Sequence, residues 1–312
     1  MGIGCWRPRL QCGRALIPVT IVGGYLGAGK TTLINNMLRN ASGQRLAILV
    51  NEFGELPIDE DLIEAESDEM ISLAGGCICC SFGDNLVEAL VSLSKLDPAP
   101  DHIVVEASGV AIPGSIAASL SLVLGFRLNA LVVLADGGTA LDLARDKYMG
   151  DTILRQLEDA DLVVMTKTDL VSEAQRTSVM DWLKKVARGA AVVTSELGGL
   201  PNSVLLGPAD GPSDYQRAAH HDGLFESATF PVPGQIDARS LADRLMHPEL
   251  GVVRAKGFVR STQGETMLVQ IAGGRADITK TAPRQSHDLV CIGPSETFDR
   301  AALSAVFDEL GR

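Results

Sequence analysis

The stretch Gly24-Tyr-Leu-Gly-Ala-Gly29-Lys30-Thr31 follows the apolar run VTIVG (19–23) and opens the segment TTLINNMLRN. This Gly-x-x-x-x-Gly-Lys-[Ser/Thr] spacing, set between a strand and a helix, restricts the chain more than any other feature in it. Glycines let backbone N–H groups curl around phosphate oxygens, and the following helix N-terminus adds positive potential. Lys30 can then reach a β and a γ phosphate, and the Thr31 hydroxyl can ligate Mg²⁺. Gly24, Gly27, Ala28, Gly29, Lys30, Thr31 and Thr32 are therefore the candidate phosphate contacts. A glycine-rich turn with a chance lysine is the plainer alternative, and the strand before it and helix after it argue against that.

The rest of the chain fits a frame for such a loop. Apolar runs bounded by turn signals recur at 46–51, 102–106, 130–136, 162–167 and 190–195, with helix-length segments between most of them. Strands alternating with helices imply an α/β fold with a mainly parallel sheet covered on both faces, here over residues 17–207. With 46% hydrophobic but only 4% aromatic residues, the core is expected to be aliphatic. Residues 1–16 read as a leader without order and 208–220 as a Gly/Pro/Ser-rich linker. In 221–312 the pattern changes to ATFPV, VVRAKGFVRS, TMLVQIA and DLVCIG as strands, with DARSLADRLM and FDRAALSAVFDEL as helices. That is a small α+β carboxy-terminal domain, with Asp237 as a candidate helix N-cap.

A formal charge of −12 and a pI near 4.9 argue against a nucleic-acid surface or an anionic membrane as the main partner, so an anionic ligand needs a local cradle. No stretch reaches about 18 uninterrupted apolar residues, so no membrane span is expected and the chain reads as cytoplasmic. Six cysteines in 312 residues is too sparse for a disulfide scaffold.

Further parts of a nucleotide site can be assigned. In HIVVEASG, Glu106 ends an apolar strand where a carboxylate can hold a Mg²⁺ water shell, and Gly109 leaves room for backbone near a γ-phosphate. Asp136, ending another strand, competes with Glu106 for that role. In TKTD, Asp169 can accept two hydrogen bonds from guanine that adenine cannot donate, which favours GTP over ATP. The usual motif is NKxD, so Thr166 stands where asparagine would, beside Lys167. Thr194 and Ser195, after the next strand, can add a backbone contact over the base.

Cys77-Ile-Cys79-Cys80 follows Gly75-Gly76. Soft thiolates select zinc, copper(I), iron or cobalt. On an extended backbone Cys77 and Cys79 face one way and Cys80 the other, so binding by all three needs a bend. Three local ligands leave a fourth position for another residue, water or a receiving protein. A redox switch is the rival reading, although adjacent cysteines pair only with strain.

With GGYLGAGKTTLIN, VNEFGE, GGCICC, EASGVA, TKTDL and RAKGFVR on the page, residues 17–312 resemble the CobW-type metallochaperone GTPases. These are relatives of the P-loop GTPases that help insert nickel into urease and hydrogenase. The resemblance implies a P-loop NTPase domain followed by a CobW carboxy-terminal domain, with slow hydrolysis of GTP aided by Mg²⁺. It implies a transition metal on Cys77, Cys79 and Cys80, passed to a client metalloprotein, and tetrahedral thiolates suit zinc first and cobalt(II) next. A homodimer is left open. It also implies that VNEFGELPID is a switch, with Glu52, Glu55 and Asp59 as candidates to contact Mg²⁺, position water or relay to the thiols. Lys30, Glu52 and Glu106 are the expected catalytic set. Where many relatives carry a histidine-rich stretch, only His220-His221 remains. Cys291 reads as core, and Arg254, Lys256 and Arg260 as either an interdomain or partner surface or a solvated strand face.

Overall fold

The computed structural model describes residues 16–41, 43–50, 86–207, 224–284 and 286–310, together with three short strand backbones within 63–81. Glu52, Glu55, Asp59, His220 and His221 lie outside the described residues, as do residues 1–15 and 208–223.

The first unit runs β1 (Ile17–Gly24), α1 (Lys30–Arg39), β2 (Leu46–Val50), β3 (Ile63–Glu66), β4 (Met70–Leu73), β5 (Cys77–Ser81), α2 (Leu86–Ser94), β6 (His102–Glu106) and α3 (Pro113–Leu120). It continues through β7 (Phe126–Asp136), α4 (Ala140–Arg145), α5 (Gly150–Glu158), β8 (Leu162–Thr166), α6 (Glu173–Val186), β9 (Ala191–Ser195) and α7 (Asn202–Leu205). The sheet order is β3-β4-β5-β2-β6-β1-β7-β8-β9. From β5 to β9 every neighbouring pair is parallel, whereas β3-β4 and β4-β5 are antiparallel.

The strands β2, β6 and β8 are buried at every position, as sheets covered on both faces require. Alternation splits their side chains between two cores. Val22, Ile48, Val104, Val132 and Val164 meet Leu33, Ile34 and Met37 of α1 on one face. Ile21, Leu49, Ile103 and Val105 meet Leu90 and Leu93 of α2 on the other. Each fully buried aliphatic side chain contributes about 1.5–3 kcal/mol, as an upper estimate.

The second unit comprises β10 (Phe225–Pro231), α8 (Ala238–Leu245), β11 (Arg254–Arg260), β12 (Thr266–Ala272), β13 (Arg275–Lys280), β14 (Asp288–Pro294) and α9 (Arg300–Leu310). Its strands form an antiparallel sheet in the order β10-β14-β11-β12-β13. Asp237 caps α8, accepting from the Arg239 N–H at 3.0 Å. One face of this sheet packs on the helices through Ala255, Val259, Val269, Ile271 and Leu289, with Phe230 stacked on Phe307. Cys291 is fully buried in this layer, as read from the sequence, and burial pushes its thiol upward.

Residues from the opposite side, Phe225, Val253, Ala272, Val290 and Ile292, join the α1-side core of the first unit. Polar contacts run alongside. Arg254 is fully buried and its guanidinium donates to the carbonyls of Val204, at 2.5 Å, and Leu205. Burial lowers its pKa to about 10, so it stays a cation at neutral pH. Arg275 pairs with Asp161 at 2.6 Å, and the Asp161 carboxylate also accepts from Leu131 N–H at 2.7 Å. Burial pushes the Asp161 carboxyl up, and Arg275 opposes it. Gly273, with φ of 54°, lies against the Asp161 carbonyl, where a side chain has no space.

Three features differ from the sequence reading. β13 was not expected, because RADITK at a sheet edge is half exposed and mixes charges with its apolar residues. The bend that binding by all three of Cys77, Cys79 and Cys80 would need is not seen in β5, whose backbone pairs with both β2 and β4 as a continuous strand. Finally, the basic trio separates, with Arg254 buried between the units, Lys256 half-buried and Arg260 exposed.

Candidate nucleotide and metal site

Five parallel strands bring their carboxyl ends to one edge, where ligands of open α/β sheets bind. β1 ends at Gly24, level with Leu134 of β7, and Val22 is level with Glu106. Asp136, Thr166 and Ser195 are level with one another across β7, β8 and β9. Residues from positions 24 to 195 are thus gathered into one row.

The loop from Gly24 to Gly29 has the backbone a phosphate cradle needs. Gly24, Gly27 and Gly29 take positive φ of 128°, 76° and 96°, which only glycine adopts without strain. At Gly24 an added Cβ would stand 3.0 Å from Leu134 N, so the loop also needs glycine to sit against β7. Gly29 starts α1 without a side-chain cap, leaving the first-turn N–H groups facing the loop. Lys30 is buried, and its Nζ donates to Gly24 O at 3.0 Å and Tyr25 O at 3.5 Å across the arch. Thr31 is half-buried and Thr32 exposed in the next positions. The cradle and its cation fit a nucleotide phosphate chain, and the Thr31 hydroxyl with the buried Glu106 carboxylate makes an all-oxygen donor set suited to Mg²⁺.

The two competing strand-end acids, Glu106 and Asp136, sit in different surroundings. Asp136 is engaged: its Oδ2 is 2.8 Å from Lys167 Nζ and its Oδ1 accepts from Gly138 N–H at 2.8 Å. Glu106 is 5% exposed at the end of β6, one strand from the phosphate loop.

The TKTD segment turns at Lys167, which has φ of 55°, into a short 3-10 turn at Thr168–Leu170 that leaves Asp169 exposed. Thr166 is buried and its hydroxyl donates to Ala28 O of the phosphate loop at 2.8 Å. The residue in the asparagine position therefore ties the base side of the site to the phosphate side. Ser195 is buried too, and its Oγ has no hydrogen-bond partner among the described residues. Gly109 lies so close to the phosphate loop that an added Cβ would be 2.9 Å from Leu26 N.

Sequence reasoning missed two supporting amides. Gln156, in the last turn of α5 and 1% exposed, donates from Nε2 to Gly109 O at 3.1 Å and Ala111 O at 2.7 Å, fixing the loop after Glu106. Asn202 donates to Met37 O and Asn40 O, both at 2.9 Å, at the end of α1. A polar residue on the apolar face of ILRQLE was the available signal for the first; for the second there was none.

Cys77, Cys79 and Cys80 lie in β5, level with Leu73, Ile48 and Leu49 respectively. Leu49 is in turn level with Val105, the residue before Glu106. Among the described residues no three histidine, cysteine or acidic side chains gather as metal ligands, and the side chains of the three cysteines are outside that set.

This row of phosphate loop, strand-end carboxylate and base-side turn defines a P-loop nucleotide-binding protein. The nucleotide-binding domain model of CobW/HypB/UreG matches residues 18–194, and the cobW carboxy-terminal domain model of cobalamin synthesis proteins matches residues 225–310. The chain belongs to the CobW/HypB/UreG family. Its relatives include the zinc chaperone CobW of a Sinorhizobium species, 30% identical over 94% of this chain and 97% of the relative. The zinc chaperone YjiA of Escherichia coli is 33% identical over 61% of each chain. The crystal structure of the Zn(II)-bound Escherichia coli YjiA GTPase aligns over 96% of this chain and all of that one, at 26% identity and a TM-score of 0.48. No helix of the described residues is long and apolar enough to cross a membrane.

Proposed function

We propose that the chain is a GTP-hydrolysing metallochaperone that carries a transition metal, zinc first and cobalt(II) next, on Cys77, Cys79 and Cys80. It gives the metal to a client metalloprotein as its nucleotide changes. Residues 17–207 form the GTPase unit and 221–312 the carboxy-terminal unit, working in the cytoplasm. Nucleic acid and membrane are not its partners, and assembly as a homodimer is compatible with this role.

Gly24, Gly27, Ala28, Gly29, Lys30, Thr31 and Thr32 hold the phosphates. Gly109 approaches the γ-phosphate, and Thr166, Lys167, Asp169 and Ser195 form the guanine side. Thr31 and, through a water shell, Glu106 would hold Mg²⁺, which would neutralise charge on the phosphates. Lys30 exchanges its carbonyl partners for phosphate oxygens and stabilises the charge that develops as water displaces GDP from the γ-phosphoryl group. Glu52 completes the catalytic set.

The observation that carries the metal reading is strand register. Cys80, Leu49 and Val105 are level across three adjacent strands, so the C-x-C-C backbone stands about 10 Å from that of the magnesium carboxylate, two strand spacings away. The names of the relatives, zinc chaperones, support zinc as the first metal. Binding by all three thiolates needs β5 to depart from its straight course, and a switch ordered by the γ-phosphate can drive that change, with reciprocal coupling.

The test is Zn²⁺ and Co²⁺ affinity by chelator competition, with GDP and with a non-hydrolysable GTP analogue, beside the triple Cys77, Cys79 and Cys80 to Ser variant. A cysteine-dependent site whose affinity shifts about tenfold between nucleotides, or about 1.4 kcal/mol, is expected. Equal affinity in both states would remove the chaperone cycle and favour a zinc or redox sensor.

A further inference from the structure

We propose that Arg254 is a positioning residue for the nucleotide: from the carboxy-terminal sheet it holds the Val204 and Leu205 carbonyls, and with them the guanine-side loop and the foot of α1. The inference rests on the guanine-nucleotide reading above and adds to it a residue of the second unit that touches no ligand.

The segment from Ser195 to Leu206 descends from the ligand edge of the sheet to the domain interface, and it is fastened along its whole length. Near the top, Leu197 O accepts from Asn36 Nδ2 of α1 at 2.7 Å. Gly198, with φ of 72°, packs so tightly that an added Cβ would stand 3.1 Å from Leu33 N. Lower down, the Asn202 amide satisfies Met37 O and Asn40 O, where α1 runs out of intrahelical donors. At the bottom, the carbonyls ending α7 face the same shortage. Val204 O and Leu205 O accept from Arg254, and Leu206 O accepts from Asn129 Nδ2 at 3.0 Å.

These bonds make a relay with two branches. One rises through the loop at Leu197 and Gly198 to Ser195, beside Thr166. The other enters α1 at Asn202 and runs its ten residues, about 15 Å, to Lys30 and the phosphate loop. Both arms of the nucleotide site therefore run back to the end of α7 that Arg254 holds, with Asn129 beside it. The planar guanidinium suits that task, since it presents donors in a fixed fork and stays charged when buried. Arg275 crosses the same interface to Asp161 but has no bond to 195–206 among the contacts described, which makes it the natural control.

The experiment measures GDP and ADP affinity, GDP dissociation rate and melting temperature for the full chain, Arg254→Met and Arg275→Met. The expected result is an affinity loss for GDP of about five- to tenfold in Arg254→Met, carried by faster dissociation, with Arg275→Met destabilised but near wild type in affinity. Asn202→Ala cuts the same relay at its half-buried end without removing a fully buried side chain, and it is expected to lose about five- to tenfold in GDP affinity by itself, including where Arg254→Met fails to fold. Equal affinity losses in the Arg254 and Arg275 variants, or unchanged affinity in Asn202→Ala, would overturn the inference. Failure of the wild-type chain to prefer GDP to ADP would overturn the guanine reading and this inference with it.

Discussion

Thr166→Val tests how the site is tied together. Valine keeps the β-branched shape and volume but removes the hydroxyl that donates to Ala28 O at 2.8 Å. Both residues are buried, at 4% and 3% exposure, so water does not freely replace the lost donor. A neutral hydrogen bond contributes about 1 kcal/mol net, and leaving a buried carbonyl unsatisfied raises the cost to about 1–3 kcal/mol. At about 2–4 °C per kcal/mol, the melting temperature should fall by several degrees. Because the acceptor belongs to the phosphate loop, part of the loss should also appear in binding. Titration with a fluorescent GDP analogue is expected to show affinity reduced about five- to thirtyfold, equivalent to about 1–2 kcal/mol. Thr166→Ser, which restores the donor, should recover most of both losses. A valine variant that melts and binds GDP like wild type would refute the view that this hydroxyl couples the two sides of the site.

Other perturbations give separate checks. Asp169→Asn replaces two acceptors with one acceptor and one donor, so it should weaken GDP and improve binding of xanthosine diphosphate, whose carbonyl replaces the guanine amine; competition titrations read the exchange. His102 is buried, its Nε2 is 2.8 Å from the Thr20 hydroxyl, and burial pushes its pKa well below the ordinary value, with Arg127 adding to the shift. Since the unfolded chain binds that proton near pH 6.5, the contribution of His102 is present above about 6.5 and is lost as pH falls below it. Melting temperature should therefore drop between pH 7.5 and 5.5, with a shallower slope in His102→Gln. Gly273→Ala forces a side chain into a left-handed conformation against the Asp161 carbonyl, and denaturant unfolding should show a loss of at least about 1–3 kcal/mol.

The backbone frame of the candidate site was legible because its parts are local. Glycines at fixed offsets, a lysine opening a helix and acids ending apolar runs are each dictated by backbone geometry within a few residues. The buried strands were legible for a similar reason: LAILV and LVVMT carry continuous aliphatic runs that solvent-facing strands do not. What escaped depends on contacts between distant positions. Gln156 serves a loop 45 and 47 residues away, and Arg254 serves carbonyls 49 and 50 residues away. Neither partner carries a side-chain signature, since a backbone carbonyl looks the same in every sequence. β13 was hidden because an edge strand is held by ladder bonds to β12, and its side chains are half-wet. The straight course of β5 was hidden because it is set by pairing with β2 and β4, which lie elsewhere in the chain.

The core shared across the two sheets bears on how the chain can be cut. Val253, Ala272, Val290 and Ile292 pack in the same cluster as Val22, Leu33 and Ile48, so the carboxy-terminal unit is not a detachable module. A fragment ending in the linker would expose an apolar patch at the base of α1 and leave the Asp161 carboxylate without its arginine. Expression of the amino-terminal half alone should therefore yield a sticky, nucleotide-poor protein, and a fusion partner is better joined at the far end of the chain than inserted between the sheets.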